Sequence, residues 1–305
     1  MSSKLDMAGK LSYYALLSLI WCVSRLPFFI LYRFADLMFL ISFYVIPYRK
    51  RVVLRNLRYA FPEKKESEIQ QIVRKFYRHF CDFLVESFKP FTLSTGELQR
   101  RFHYTNPELL EEFNKNGRDF ALVSGHYGNW EWNTILTLHA KRDALIIYRP
   151  LQNKTSDLLI KKIRNRYEGS RLTAMEHVYR TALEYRNQKK PFLIYFIADQ
   201  RPPRNNKFWT TFLHQPTSFF NGTEKLSRKL DMAVVFMHIQ KTKRGFYEIT
   251  FTKLFDTVKN LPENAVTLSF VDTLEKEIIR QPEYWLWSHK RWKHKPEPST
   301  IIIPR

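Results

Sequence analysis

From residue 119 to residue 280 short apolar runs alternate with amphipathic stretches, and this alternation restricts the fold more than any other feature. Apolar runs at 119–124, 144–148, 192–197, 233–239 and 247–253 are candidate strands. Between and after them, 130–140, 152–168, 175–188, 222–231 and 262–280 carry helical spacing. Short apolar runs bounded by turn residues suit buried strands, and strands separated by helices predict an α/β domain with a largely parallel or mixed sheet. Upstream, Ile69, Ile72, Val73, Phe76 and Phe80 recur at helical spacing and predict a long amphipathic helix over 64–88. At 305 residues the chain has room for one large α/β domain or two modest ones. No internal repeat or low-complexity linker divides it.

The N-terminal region has a different character. Residues 11–23, "LSYYALLSLIWCV", carry no charge; Arg25 and Pro27 follow, then "FFILY", Arg33 and the apolar run 37–46. The uncharged run is shorter than the roughly 20 residues a spanning helix needs, so a helix over 11–32 reaches across a bilayer only by tolerating Arg25. The basic stretch "PYRKRVVLRNLR" comes next, and its Arg49, Lys50, Arg51, Arg55 and Arg58 suit the cytoplasmic side of a membrane. No small-residue cleavage site marks a signal peptide. Residues 1–47 are therefore expected to be a membrane anchor that crosses, dips into or lies along the bilayer, with 48–305 as the soluble domain. Two core helices are the alternative.

Charge narrows the partners. Fifty Lys and Arg face 29 Asp and Glu, a net charge of +21. Such a field attracts nucleic acid, an anionic leaflet, anionic substrates or an acidic carrier protein. No zinc-finger spacing or RNA-recognition aromatic motif is present, so no nucleic-acid partner is expected. An aromatic content of 16% beside that charge suits a membrane surface, where rings and long cationic side chains settle at the headgroups. Two cysteines, Cys22 and Cys81, make no disulfide framework and suit a reducing compartment.

The chemistry concentrates in "SGHYGNWEW", residues 124–132. It follows the candidate strand 119–124, and Asn129 is placed to cap a helix in which Trp132, Ile135, Leu136 and His139 share a face. His126 then lies in a strand-to-helix turn at the carboxyl edge of the sheet, where open α/β sheets hold ligands. With Glu131 in the first helical turn, both side chains can face one cleft. A carboxylate there can accept from one imidazole nitrogen and leave the other as a general base. Gly125 and Gly128 let the backbone bend and a substrate approach. A satisfied structural histidine and a glutamate favourable to the helix dipole fit the same residues, and spacing alone leaves both readings open. The H-E-x-x-H and G-x-S-x-G patterns are missing, so neither a metal site nor a serine nucleophile is expected.

Together these blocks resemble the lauroyl/myristoyl acyltransferases of lipid A biosynthesis, within the wider glycerophosphate-type acyltransferase group. The resemblance covers most of the chain. "RKRVVLRNLRYAFPE" (49–63) resembles the family's segment after the anchor, and "SGHYGNWEW" its catalytic block, which puts His126 and Glu131 on the two catalytic positions. "YRP" (148–150) is similar to the next block, with Arg149 as substrate-binding arginine. In "RNRYEGSRL" (164–172) the functional arginine is assigned to Arg166, with Arg164 and Arg171 as rivals. "FIADQRP" (196–202) supplies a functional aspartate, Asp199, and "PEYWLWSHKRWK" (282–293) resembles the closing Trp-rich basic motif. Two positions depart: Arg201 stands where a second aspartate is common, and His214, in "FLHQP", where a glycine is expected. Both are expected to touch the acceptor pocket.

The resemblance implies a mixed sheet flanked by helices behind the anchor, at the cytoplasmic face of a bacterial inner membrane. It implies transfer of a fatty acyl chain from an acyl carrier protein or acyl-CoA thioester to a hydroxyl of an anionic lipid, a lipid A precursor, with no cofactor. His126 would act as base and Glu131 as its support, with backbone N–H groups around Gly128 and Asn129 on the oxyanion. Arg149 and Arg166 would bind anionic groups, and Asp199 sugar hydroxyls or an arginine. A lysophospholipid or aminolipid acceptor keeps the same chemistry. A non-catalytic peripheral membrane protein would need none of these side chains.

Overall fold

The computed structural model describes residues 6–166 and 168–305. Residues 1–5 of the expected anchor and Tyr167 lie outside them. Two apolar helices come first, α1 (Met7–Arg25) and α2 (Phe28–Leu40), the second running on as a π-helical turn, Ile41–Val45. Residues 11–32 thus do not form one helix. Pro27 breaks it, and Leu26 before it is extended, with ψ 138°, because the proline ring excludes the helical conformation there. By length and composition, α1 and the 28–45 segment can each cross a membrane.

The two helices differ in how they meet the rest of the chain. Almost none of α1 is buried. Helix α2 buries Leu31, Ala35 and Phe39, one face at four-residue spacing, and leaves Phe29, Phe34, Leu37 and Leu40 exposed on the others. The buried face joins the core of α4 (Glu66–Glu86), the long amphipathic helix expected over 64–88. Between them lies α3 (Lys50–Ala60).

The remaining elements are α5 (Thr95–Arg101), β1 (Phe102–Tyr104), α6 (Glu108–Lys115), β2 (Phe120–Ser124), α7 (Leu136–Ala140), β3 (Asp143–Ile147), α8 (Lys154–Arg164), β4 (Ser170–Thr173) and α9 (Met175–Asn187). After them come β5 (Phe192–Ile197), β6 (Trp209–Phe212), β7 (Gln215–Ser218), α10 (Gly222–Leu230), β8 (Ala233–Lys243), β9 (Phe246–Phe255) and α11 (Ala265–Arg280). Seven strands form one mixed sheet in the order β1-β9-β8-β2-β5-β3-β4. The five from β8 to β4 are parallel; β9 runs antiparallel to β8, and β1 runs with β9. The expected α/β class and all five expected strands are present. Strands β1 and β4 and the hairpin β6–β7 are additions.

Alternate strand residues feed two cores. Ala121, Val123, Ile194, Phe196, Val234 and Phe236 face α9, α10 and α11; Phe120, Leu122, Leu193, Tyr195, Ala233 and Val235 face α5, α6 and α7. Strands covered on both faces read as unbroken apolar runs, which is why they were legible in the sequence. Leaving β2, the chain crosses past β5 to reach β3; leaving β5, it crosses past β2 to reach β8. Connections that part from adjacent strands in opposite directions open a crevice at their carboxyl ends.

Candidate active site

That crevice is where His126 and Asp199 meet. Ser124 at the end of β2 pairs with Ile197 at the end of β5, and the ladder continues with Ala198 N–H donating to the Ser124 carbonyl (3.1 Å). Two residues further on each strand, His126 Nδ1 lies 2.5 Å from Asp199 Oδ1, and His126 N–H donates to Oδ2 (2.8 Å). Trp285 Nε1–H donates to the same Oδ2 (2.7 Å). Burial alone would push the Asp199 carboxyl up. The His126 ring beside it and these hydrogen bonds outweigh burial and hold the carboxyl down to about 2.

The tautomer follows. A carboxylate can only accept, so Nδ1 carries the proton. His126 Nε2 faces the Gln200 side-chain amide nitrogen at 3.0 Å, a group that donates. Nε2 is therefore an unprotonated acceptor opening into the cleft.

The carboxylate on His126 is thus Asp199, not Glu131. Glu131 instead accepts two hydrogen bonds from Arg164, from Nη2 to Oε1 (2.6 Å) and from Nε to Oε2 (3.1 Å). The expected α-helix over 130–140 begins as a 3₁₀ segment, Trp130–Ile135. That segment carries Glu131 toward the carboxyl-terminal end of α8, where Arg164 is the last residue. Asn129 stands at the N-cap position but makes no capping bond. It is fully buried, and its amide nitrogen donates to Glu86 (2.8 Å).

Two glycines are required by close approach. A Cβ on Gly125 would stand 2.6 Å from Leu274 Cδ1 and 3.3 Å from Asp199 Oδ2. The missing side chain makes room first for Leu274 and then for the aspartate, rather than for a substrate. Gly128 has φ +60°, and a Cβ there would lie 2.8 Å from the Ile239 carbonyl oxygen. Its N–H donates to the Tyr284 carbonyl (3.1 Å), and Leu286 N–H donates to the His126 carbonyl (3.1 Å). The turn is thereby clamped to the Trp-rich segment. The Gly128 N–H expected for an oxyanion is already engaged, and neither Gly128 nor Asn129 lines the cleft.

The cleft has a volume of about 670 Å³. His126 and Gln200 line it beside Arg149, Arg164 and Arg201, and its apolar lining includes Ile147, Leu151, Ile160, Met175, Phe196 and Phe220. Arg149 meets no carboxylate among the described residues. Arg201 is braced by its Nη1 donating to the Lys290 carbonyl (3.2 Å) and its N–H donating to His289 Nε2 (3.3 Å). Arg166, the arginine chosen from the basic segment, donates to the Pro90 carbonyl, while its rival Arg164 reaches the cleft. Arg171 does not line the cleft.

His214 is not in the lining either. It follows Leu213 in the two-residue turn between β6 and β7, with φ 49° and 61° at the two positions. A tight hairpin needs left-handed backbone there, a conformation that suits the glycine expected at that position. His214 adopts the same conformation, so of the two departures only Arg201 touches the cleft. Among the described residues no three His, Cys, Asp or Glu side chains gather as a ligand set.

Sequence reasoning did not single out Trp285, Gln200 or Glu86 as site residues. Trp285 and Gln200 were inside quoted blocks, but only the fold shows what they touch. Glu86, a glutamate at the end of an amphipathic helix, carries no signal in the sequence.

Comparisons with known proteins show the family of the chain. The family model for the bacterial lipid A biosynthesis acyltransferases matches residues 1–294. A lipid A biosynthesis lauroyltransferase of Escherichia coli is 23% identical over 284 residues, covering 92% of this chain and 91% of that protein. A lipid A biosynthesis palmitoleoyltransferase of the same organism is 22% identical over 282 residues, 92% and 90% of the two chains. A lipid A biosynthesis acyltransferase of Haemophilus influenzae is 23% identical over 256 residues, 83% and 80%.

Proposed function

Because the chain belongs to the bacterial lipid A biosynthesis acyltransferase family, we propose that it moves a fatty acyl chain from a thioester donor to a hydroxyl of a lipid A precursor, with His126 as general base. The observation that carries this reading is the His126–Asp199 pair beside a cleft that His126 lines together with apolar side chains and three arginines.

The substrate hydroxyl takes the place at Nε2 now held by the Gln200 amide. Nε2 accepts its proton as the oxygen bonds to the thioester carbonyl carbon. Asp199 balances the imidazolium and keeps the ring in place. When the tetrahedral intermediate collapses, the C–S bond breaks and the leaving thiolate takes the proton back from Nε2. The released Gln200 amide stands next to the reacting carbon and is a donor for the developing oxyanion. No acyl-enzyme is formed.

Arg149 and Arg201 provide planar forks for phosphates, and Arg164, whose Nε and Nη2 are held by Glu131, has Nη1 left to donate. The Glu131–Arg164 pair then acts on substrate placement: Glu131 fixes the guanidinium over the cleft rather than touching the base. The apolar walls accept an acyl chain. Acyl carrier protein and coenzyme A both present a thioester on an anionic carrier, and either suits the basic surface.

The exposed apolar faces of α1 and α2, followed by the basic α3, suit a protein held at an anionic leaflet on the cytoplasmic side. The test is a purified enzyme given an acyl thioester and a lipid A precursor, with lysophospholipid as second acceptor. The lipid A precursor should gain one acyl chain, and His126→Ala should abolish the gain. Acylation of the lysophospholipid alone would reassign the acceptor and leave the base standing.

A further inference from the structure

The turn that carries His126 rests on a buried polar stripe of α4. His79, Asp82 and Glu86 lie three and four residues apart, on one face of the helix, and all three are buried. His79 is buried, and burial, reinforced by Lys241, keeps the ring neutral. Its Nδ1 faces Lys241 Nζ (3.5 Å), which can only donate, so Nε2 carries the proton toward the Gly128 carbonyl (3.3 Å).

Glu86 has no exposed surface and gathers four donors. Asn129 Nδ2 (2.8 Å) and the Tyr247 hydroxyl (2.7 Å) donate to Oε2, and the Tyr32 hydroxyl donates to Oε1 (2.9 Å). Its main-chain carbonyl accepts from Trp132 Nε1 (2.8 Å). Asn129 and Trp132 belong to the catalytic turn, Tyr247 to β9 and Tyr32 to the apolar helix α2.

A buried carboxyl is costly unless its oxygens are hydrogen-bonded, and here three side-chain donors meet them. What the carboxyl adds is a single acceptor shared by the catalytic turn and α2. Nearby, Arg244 binds both Asp36 of α2 (2.7 Å) and Asp82 of α4 (2.6 Å), so α2 is held at two points on the stripe.

We propose that Glu86 is a positioning residue for acyl transfer, holding the 126–132 turn in place and coupling it to the seating of α2 through Tyr32. The proposal rests on His126 being the base. When α2 is seated, Tyr32 completes the set of donors that fixes the Glu86 carboxyl, and the carboxyl fixes Asn129. When α2 lifts, Oε1 loses its partner and the turn loosens. Misplacement by about 1 Å is enough to cost on the order of 10²-fold in rate.

The experiment compares full-length wild type with Tyr32→Phe, Glu86→Gln, Glu86→Ala and His126→Ala. It measures kcat, KM for donor and acceptor, and hydrogen exchange of the 125–133 amides. Glu86→Gln keeps an oxygen acceptor for Asn129 and Tyr247 and turns its amide nitrogen to the Tyr32 hydroxyl, which can accept, so it should stay within about threefold of wild type. Glu86→Ala should lose about 10²-fold in kcat with KM little changed. Tyr32→Phe removes one hydroxyl that touches nothing in the turn. It should lower kcat several-fold and speed exchange over 125–133, with melting and membrane association unchanged.

Wild-type kcat and wild-type exchange in Tyr32→Phe would overturn the coupling, even if Glu86→Ala fails to fold. An active His126→Ala would overturn the reading of the base, and the proposal with it.

Discussion

His126 and Asp199 each stand two residues beyond the last paired residues of adjacent parallel strands, and the register of those strands brings their side chains to 2.5 Å. The pair is a consequence of sheet geometry. A one-residue slip of β5 against β2 would move Asp199 to the opposite face and leave His126 without its partner.

Asp199 and Glu131 are therefore expected to behave differently. Asp199→Asn keeps the shape but leaves Nδ1 facing a group that can also donate, so the ring is free to take the wrong tautomer. We expect kcat to fall about 10³-fold or more, the scale seen when an orienting carboxylate is neutralised. Glu131→Gln releases Arg164 and should act mainly on KM. Equal losses of kcat in the two variants would remove the assignment of Asp199 as the orienting carboxylate.

The arginines divide in the same way. Arg149→Gln and Arg164→Gln each remove a cleft cation and should raise KM for a phosphorylated acceptor about tenfold, with a weaker dependence on salt. Arg166→Gln, whose guanidinium meets the Pro90 carbonyl, should change KM less. A larger effect at Arg166 than at Arg164 in steady-state kinetics would show that the acceptor binds elsewhere.

Acid should weaken the fold before it protonates Asp199. Burial, against the pull of Asp199, pushes His289 down to about 4 from an ordinary 6.5. The folded state then binds fewer protons than the unfolded chain between those values. The stability contributed by neutral His289 is present above pH 6.5 and is lost as pH falls toward about 4. His79, buried and neutral, acts in the same direction. Asp199, held near 2, keeps its contribution through this range. The urea midpoint should drop between pH 7.5 and pH 5, and His289→Asn should flatten the drop. A midpoint that rises on acidification would contradict this account.

The two N-terminal helices should be separable by truncation. Removing residues 1–25 takes away α1, which is almost wholly exposed, and should leave melting little changed while weakening membrane association. Removing residues 1–47 also strips Leu31, Ala35 and Phe39 from α4. Each buried Leu or Phe is worth about 1.5–3 kcal/mol, so this truncation should melt markedly lower. Equal melting of the two truncations would show that α2 does not contribute to the core. Full-length protein washed from membranes by salt alone would show that its apolar faces do not enter the bilayer.

The sequence by itself determined the α/β class, the five central strands, the helix α4 and the place of His126 in a turn after β2. These were legible because burial on both faces of the parallel strands, on alternate residues of the antiparallel β9, or on one face of a helix writes a local pattern of apolar residues. Strands β1 and β4 were not, since each is only three or four residues long and lies at a sheet edge, and the β6–β7 hairpin stands outside that sheet. The tertiary structure decided which acid serves His126. Glu131 was close in sequence and chemically suitable, yet a 3₁₀ segment turned it toward Arg164. Asp199, 73 residues away, reached the imidazole because two parallel strands end level with each other. Glu86 shows the same limit: its four donors come from three separate segments, and no local pattern announces such a meeting. Hydrogen-bonded sites are set by where strands and helices end in space, and that depends on register and packing between distant parts of the chain.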